Sequence, residues 1–217
     1  MKKMHIIDNR KYDDIFGLHE IHVTVDPTQL HKMKLFCQEH KYKLIYHCSD
    51  RGIEQNQLMM SKWKNGTAIQ AIERAHKIAG DMRNYGLTVL RIKVEGLSTN
   101  KNIPHLINED DDSYFEYHMD YNFSTIEEYQ KLIELIVKLG GGYTVSALKP
   151  EMTKLVVTLR MCSSMGLIEA EKKKDNFIAE MKCNNFFNHG KIQKEFTVYD
   201  DNFDYDSGWI EGDKMRL

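Results

Sequence analysis

Glu20-Ile-His-Val-Thr-Val-Asp26 alternates polar and apolar side chains, which is the pattern of a β-strand with one buried face. Asp26-Pro-Thr-Gln29 follows directly and combines a helix-capping residue, a proline suited to the first helical position and a glutamine at the third. This junction predicts a strand that passes straight into a helix. The apolar periodicity then carries the helix to about His40.

The rest of the first half extends this beginning into a β-α-β-β-α-β order. Strands are predicted at 43–48 and 57–63, and the capping sequence Thr67-Ala-Ile-Gln70 begins a second helix. That helix should end at Tyr85-Gly86, because glycine suits the position after a helix, and a strand follows at 87–95.

The second half repeats the same order. A strand at 114–123 leads into the capping box Ser124-Thr-Ile-Glu127, and Gly140-Gly-Gly142 ends that helix. Two further strands, a helix and a last strand are predicted at 143–148, 154–160, 167–183 and 192–199. The predicted fold class is therefore α+β, a tandem duplication of a ferredoxin-like unit with two antiparallel sheets facing a shared cleft.

Five segments follow from this division of the chain. The predicted lobes cover 18–97 and 113–200, and an acidic linker at 98–112 contains Glu109-Asp-Asp-Asp112. An N-terminal extension covers 1–17, and a C-terminal extension rich in acidic and aromatic residues covers 201–217.

Both halves carry Glu-x-His on their first strand. Side chains two apart in a strand share a face, so Glu20, His22 and Thr24 project together. In the second half Glu116 and His118 project together in the same way, with Asp120 beyond them. The recurrence of this pair at equivalent places in two repeats favours a functional site over chance.

Two imidazoles facing one cleft suit proton transfer, because a histidine exchanges a proton readily near neutral pH. A neighbouring Glu20 or Glu116 would orient its imidazole and raise the imidazole pKa. A phosphate substrate also needs positive partners. The candidates lie on the third and fourth strands of the halves and are Lys62, Arg91, Lys93 and Arg160.

His22-Val-Thr24-Val resembles the H-x-T motif of the two-histidine phosphoesterases, which are also built from two related lobes. The resemblance implies hydrolysis or transfer at cyclic phosphates and related phosphodiesters, often on RNA ends or nucleotides, with no required metal. It implies that His22 and His118 act as general acid and base, and that Thr24 holds a phosphate oxygen. His118-Met-Asp120 departs from the motif, because an ionised Asp120 cannot donate a hydrogen bond to phosphate and would repel it.

Two other functions stay open. Glu20, Glu116 and the two histidines could ligate one Zn²⁺, Mn²⁺ or Fe²⁺ shared by the lobes, with Asp120 as an extra ligand. Alternatively, the chain is a non-catalytic module that binds a ligand or a protein. We expect a metal-free, phosphoesterase-like hydrolase without a cofactor, acting on a small phosphorylated or nucleotide-like ligand.

The amino-acid composition limits the binding partners and the cellular location that we expect. The chain has 217 residues, 41% of them hydrophobic and 29% charged, and a net charge of −2, so no strong positive field favours duplex DNA. No apolar run is long enough to span a membrane, and the first residues lack a secretory signal, so we expect a cytoplasmic protein. The four cysteines lie outside zinc-site spacings and are expected to be reduced. The sequence does not define the oligomeric state.

Overall fold

The computed structural model describes residues 7–8, 12–49, 51–105, 113–148, 153–161 and 165–209. The fold of these residues is mixed α+β, with nine strands and four α-helices. The strands are β1 (Ile7–Asp8), β2 (Phe16–Val25), β3 (Lys43–Ser49), β4 (Asn56–Thr67), β5 (Val89–Leu97), β6 (Phe115–Asn122), β7 (Gly142–Ser146), β8 (Lys154–Met161) and β9 (Gln193–Asp200). The helices are α1 (Leu30–His40), α2 (Ala68–Asn84), α3 (Ile126–Lys138) and α4 (Leu167–Cys183), with short 3-10 helices at Pro27–Gln29 and Phe203–Asp206.

The element order matches the sequence analysis in both halves. The first half runs β2-α1-β3-β4-α2-β5, and the second runs β6-α3-β7-β8-α4-β9. Strand β1 was not predicted, and it pairs antiparallel with the end of β9. A two-residue strand has no alternation to detect, so only its partner identifies it.

The prediction of two separate sheets is wrong, because all nine strands belong to one hydrogen-bonded sheet. The chain divides into two compact units. Unit 1 consists of Met1–His47, Asn56–Ile103 and Phe196–Tyr205, and unit 2 consists of Cys48–Gln55, Pro104–Glu195 and Asp206–Leu217. Strands β3 and β9 each have residues in both units.

Unit 1 has the strand order β1–β9–β5–β2–β4–β3. Helix α2 packs against β2, β4 and β5, and the alternation of β2 buries Ile21, Val23 and Val25 completely. The helix contributes small and branched residues such as Ala75 and Ile78, which are also fully buried. Burying one such branched side chain stabilises the fold by roughly 1.5–3 kcal/mol. This apolar face fixes which side chains of β2 project the other way.

The helix ends in unit 1 follow the predicted signals with one difference. Thr67 and Gln70 form the capping box of α2, and Gly86 ends the helix with a φ of 84°. Asp26 also caps as predicted, but it accepts from the backbone of Thr28 and begins the short 3-10 helix rather than α1 itself. Proline at the first position suits this tighter turn equally well.

Unit 2 has the strand order β7–β8–β6–β9. The register of β6 against β8 pairs Tyr117 with Leu159 and Met119 with Val157, and all four side chains are buried on the apolar face. Helix α3 ends before Gly140, whose φ of 77° agrees with the predicted helix stop.

Several predicted features lie partly outside the described residues, namely 106–112 of the acidic linker, 210–217 of the C-terminal extension, and Cys162. Cys37 and Cys183 form no disulfide. Within the ranges described above, no helix combines the length and the apolar character needed to cross a membrane.

Candidate functional site

The polar face of unit 1 is built around β2, which lies between β4 and β5. The register places His22 opposite Ser61 on β4 and opposite Lys93 on β5. Because directly opposite residues share one face of a sheet, the predicted side chains of β2 meet polar residues from both neighbours. We name this set cluster 1; it consists of Glu20, His22, Thr24, Ser61, Arg91, Lys93 and Glu95.

His22 lies between two carboxylates. Its Nε2 is 3.9 Å from Oε2 of Glu20 and 3.5 Å from Oε2 of Glu95. Glu20 and Glu95 are opposite each other on adjacent strands and both are buried. Like charges in that arrangement repel, and a protonated imidazole between them offsets the repulsion. Nε2 of His22 therefore faces both carboxylates.

The remaining oxygens of these two carboxylates have their own donors. Lys93 Nζ lies 2.7 Å from Oε1 of Glu95, and the Ser61 hydroxyl donates to Oε1 of Glu20. Glu95 thus connects a lysine and a histidine through its two oxygens. Its carboxylate can hold either cation when the other moves toward a ligand.

Arg91 has a different surrounding on the same face. Its Nε and Nη2 donate to the two oxygens of Asp200, at 2.8 and 2.5 Å, and Asp200 is fully buried. A bidentate arginine–carboxylate pair of this kind is geometrically fixed. Thr24 is buried directly opposite Arg91. The Arg91–Asp200 ion pair consequently has a structural role at this end of cluster 1.

Unit 2 contains a second set, cluster 2, built around β6. His118 Nε2 is 4.0 Å from Oε2 of Glu116 and 3.4 Å from Oε2 of Glu195. The other ring nitrogen, Nδ1, is 2.9 Å from the hydroxyl oxygen of Thr158. The carboxylates are buried, whereas the His118 side chain is 26% exposed. Cluster 2 consists of Glu116, His118, Thr158, Arg160 and Glu195.

Arg160 is the buried cation of cluster 2. Its Nε and Nη2 donate to Oε1 of Glu116 at 2.9 and 2.7 Å, and Nη2 also donates to Asp206 at 2.5 Å. The guanidinium carbon lies 4.5 Å from the centre of the Tyr114 ring, within cation–π range. With 1% exposure, Arg160 is positioned to neutralise two carboxylates.

Four positions recur in the two clusters. Each has a glutamate and a histidine on its first strand, a hydroxyl opposite that histidine, and a glutamate on its last strand. The sets are Glu20, His22, Ser61 and Glu95, and Glu116, His118, Thr158 and Glu195. The first two positions of each set were predicted from the sequence, and the other two were not. The strand alternation that identified Glu20 also applies to these residues, but their register was needed to place them opposite the histidines.

Two predicted site residues are not brought into the clusters. Lys62 is opposite Ile21, so it lies on the other face of the sheet, where it is exposed and its Nζ is 5.8 Å from the Tyr42 ring. Asp120 shares a face with His118 but forms an ion pair with Lys154 near the end of β6. Neither residue contributes to the surroundings of a site histidine.

His19 illustrates how strongly position decides the chemistry of a histidine on β2. It projects from the face opposite His22, is fully buried, and its Nδ1 lies 3.2 Å from the carbonyl oxygen of Gly17. Burial lowers the pKa of His19 to about 4, although the contact with Gly17 opposes this. His19 is therefore a neutral core residue.

No group of three His, Cys, Asp or Glu in the part of the chain that the structure describes has the arrangement of a metal site. No protein-family model matches this chain, and no curated protein is significantly similar to it.

Proposed function

We propose that the chain is an enzyme in which His22 and His118 act as general acid–base groups on a phosphate ester such as a nucleotide or an RNA end. The observation that carries this proposal is the repeated set of a histidine between two buried carboxylates. In each set the imidazole is more exposed than either carboxylate, 14% for His22 and 26% for His118. Nε2 is the ring nitrogen that would exchange a proton with a bound substrate, because Nδ1 of His22 is buried and Nδ1 of His118 lies 2.9 Å from the Thr158 hydroxyl oxygen.

The carboxylates supply orientation and charge. Glu95 and Glu195 approach Nε2 of their histidines most closely, at 3.5 and 3.4 Å. Each stabilises the imidazolium that forms when the ring accepts a proton, and each fixes the ring plane. A histidine that starts protonated serves as the acid, and one that starts neutral serves as the base.

Lys93 is the best candidate for contacting the phosphate. It is opposite His22, and the carboxylate of Glu95 lies against both of their cationic groups. When Lys93 turns toward a phosphate oxygen, His22 still balances the charge of Glu95. Lys93 is also buried and ion-paired, but Arg91 and Arg160, which were likewise predicted to bind substrate, each donate two hydrogen bonds to one carboxylate and support the clusters instead.

The clusters also support the finer prediction about the fold. The two halves have the same element order and the same four polar positions. Their strands are also arranged alike in the sheet, as β5–β2–β4–β3 in the first half and β9–β6–β8–β7 in the second. We therefore propose that both descend from one ferredoxin-like unit that was duplicated. A cytoplasmic location stays a prediction from the sequence.

The test is hydrolysis of 2′,3′-cyclic nucleotides and of a simple phosphodiester in the presence of EDTA. His22→Asn and His118→Asn should each lower kcat by about 10²–10⁴, whereas His31→Asn, an exposed histidine on α1, should not change it. The double variant distinguishes two mechanisms. If both histidines act in the same turnover, the double variant should be scarcely slower than either single variant. If they belong to independent sites, each single variant should lose only the activity of its own site, and the double variant should lose both.

Two results contradict the proposal. Activity that disappears on chelation and returns with a divalent metal assigns the chemistry to the metal alternative. Full activity in both histidine variants removes the clusters from catalysis altogether.

A further inference from the structure

An exposed apolar patch continues cluster 1 toward one end of β2. Phe16, Leu18 and Glu20 share a face, and Glu20 is opposite Trp63 on β4. Phe16, Leu18 and Trp63 are 46%, 44% and 39% exposed, although each is a large apolar side chain. Contiguous exposed groups of this kind often mark a binding surface. The patch adjoins the polar cluster along the same strands.

We infer that Trp63 is the stacking surface for the base of a nucleotide whose phosphate meets Lys93 and His22. This inference rests on the proposed function and specifies its substrate class. Trp63 and Ser61 are two residues apart on β4, or about 7 Å, and Ser61 is opposite His22. A base on Trp63 and a phosphate at His22 are thus separated by a distance that a ribose can bridge.

Asn65 favours a base over an aliphatic or protein partner. It follows Trp63 on the same face of β4, is opposite Leu18, and is exposed. Its side-chain amide offers one acceptor and two donors, which can pair with the edge of a planar heterocycle. An aromatic ring beside an amide provides both the stacking and the hydrogen bonds that a base requires.

Unit 2 differs at the corresponding position. Glu116 is opposite Arg160, which is buried against Tyr114, whereas Glu20 is opposite the exposed Trp63. The position opposite the first glutamate thus holds an exposed tryptophan in unit 1 and a buried arginine in unit 2. We therefore assign base binding to unit 1.

Calorimetric titration of the full chain with AMP and with ribose 5-phosphate tests the assignment. AMP should bind more tightly, and Trp63→Ala should weaken AMP binding by about 5- to 150-fold, the usual range for one stacked base, while ribose 5-phosphate binding stays unchanged. Trp63→Phe should retain most of the AMP affinity, and Asn65→Ala should reduce it. Phe187→Ala, which removes an exposed aromatic ring from unit 2, is the control.

Three outcomes overturn the inference: equal affinity for AMP and ribose 5-phosphate, no binding of either, or a dimer that Trp63→Ala converts to a monomer. The last result would show that the patch contacts a second copy. Failure of the proposed function is seen separately. Ester hydrolysis that depends on His22 but not on Trp63 rejects only the base site, and AMP binding that depends on Trp63 without any hydrolysis rejects only the enzyme.

Discussion

Replacement of Arg160 by methionine should strongly destabilise the protein. The guanidinium donates to both Glu116 and Asp206, and all three side chains are almost fully buried. Methionine keeps much of the volume but leaves two buried carboxylates without their cation. Breaking a buried ion pair in this way costs about 3–5 kcal/mol of unfolding free energy. We expect a loss in that range at pH 7, and a smaller one at low pH where the carboxylates take up protons.

Urea unfolding followed by circular dichroism measures this loss. Combining Arg160→Met with Glu116→Gln and Asp206→Asn should restore much of the stability, because no buried charge then lacks a counter-ion. Lys62→Met, at an exposed lysine, should change the unfolding free energy by less than about 0.5 kcal/mol. A loss below about 1 kcal/mol for Arg160→Met, or a triple variant no more stable than the single one, would refute the assignment of Arg160 to the scaffold.

Three further changes test the structure away from Arg160. Because the pKa of buried His19 is about 4 when folded and near 6.5 when unfolded, the unfolded chain gains a proton first as the pH falls. His19→Gln should therefore abolish a stability loss of about 2–3 kcal/mol between pH 6.5 and 4, measured by urea unfolding at both pH values. Thr67→Ala should lower the unfolding free energy by about 1 kcal/mol by removing the cap of α2, and Thr67→Ser should retain most of the wild-type stability in the same assay. Cys37, whose thiol pKa is raised to about 11 by burial, should react with a thiol reagent at least about tenfold more slowly than exposed Cys183 when single-cysteine variants are compared at pH 8.

All strands but β1, and the four α-helices, were predictable because each carries a local signal. The alternation of β2 and the capping box at Thr67 depend on residues close in sequence, so the chain alone determines them. The single sheet was not predictable in the same way. Pairing between strands distant in sequence depends on which edges remain available after the local elements form, and no local pattern records that.

The candidate site was predictable in part for a related reason. Glu20 and His22 were found because they are two apart on one strand. Glu95 comes closer to His22 than Glu20 does, yet it lies 73 positions further along the chain. Only the pairing of β5 with β2 brings it beside the histidine. Arg160 was found as a cation, but its partner Asp206 follows the last strand. Its role in an ion pair therefore depends on where that segment folds.

The difference between Trp63 and Arg160 explains why the hydroxyls of the two clusters bind different partners. In cluster 2, Arg160 donates twice to Glu116, so the Thr158 hydroxyl lies against His118 Nδ1 instead. In cluster 1, Trp63 stands opposite Glu20 and gives it no comparable cation, so the Ser61 hydroxyl donates to Glu20. The residues opposite Glu20 and Glu116 thus differ in exposure, and the hydroxyls opposite the two histidines have different partners. The two histidines therefore have different surroundings, which the proposed division of roles between a general acid and a general base would require.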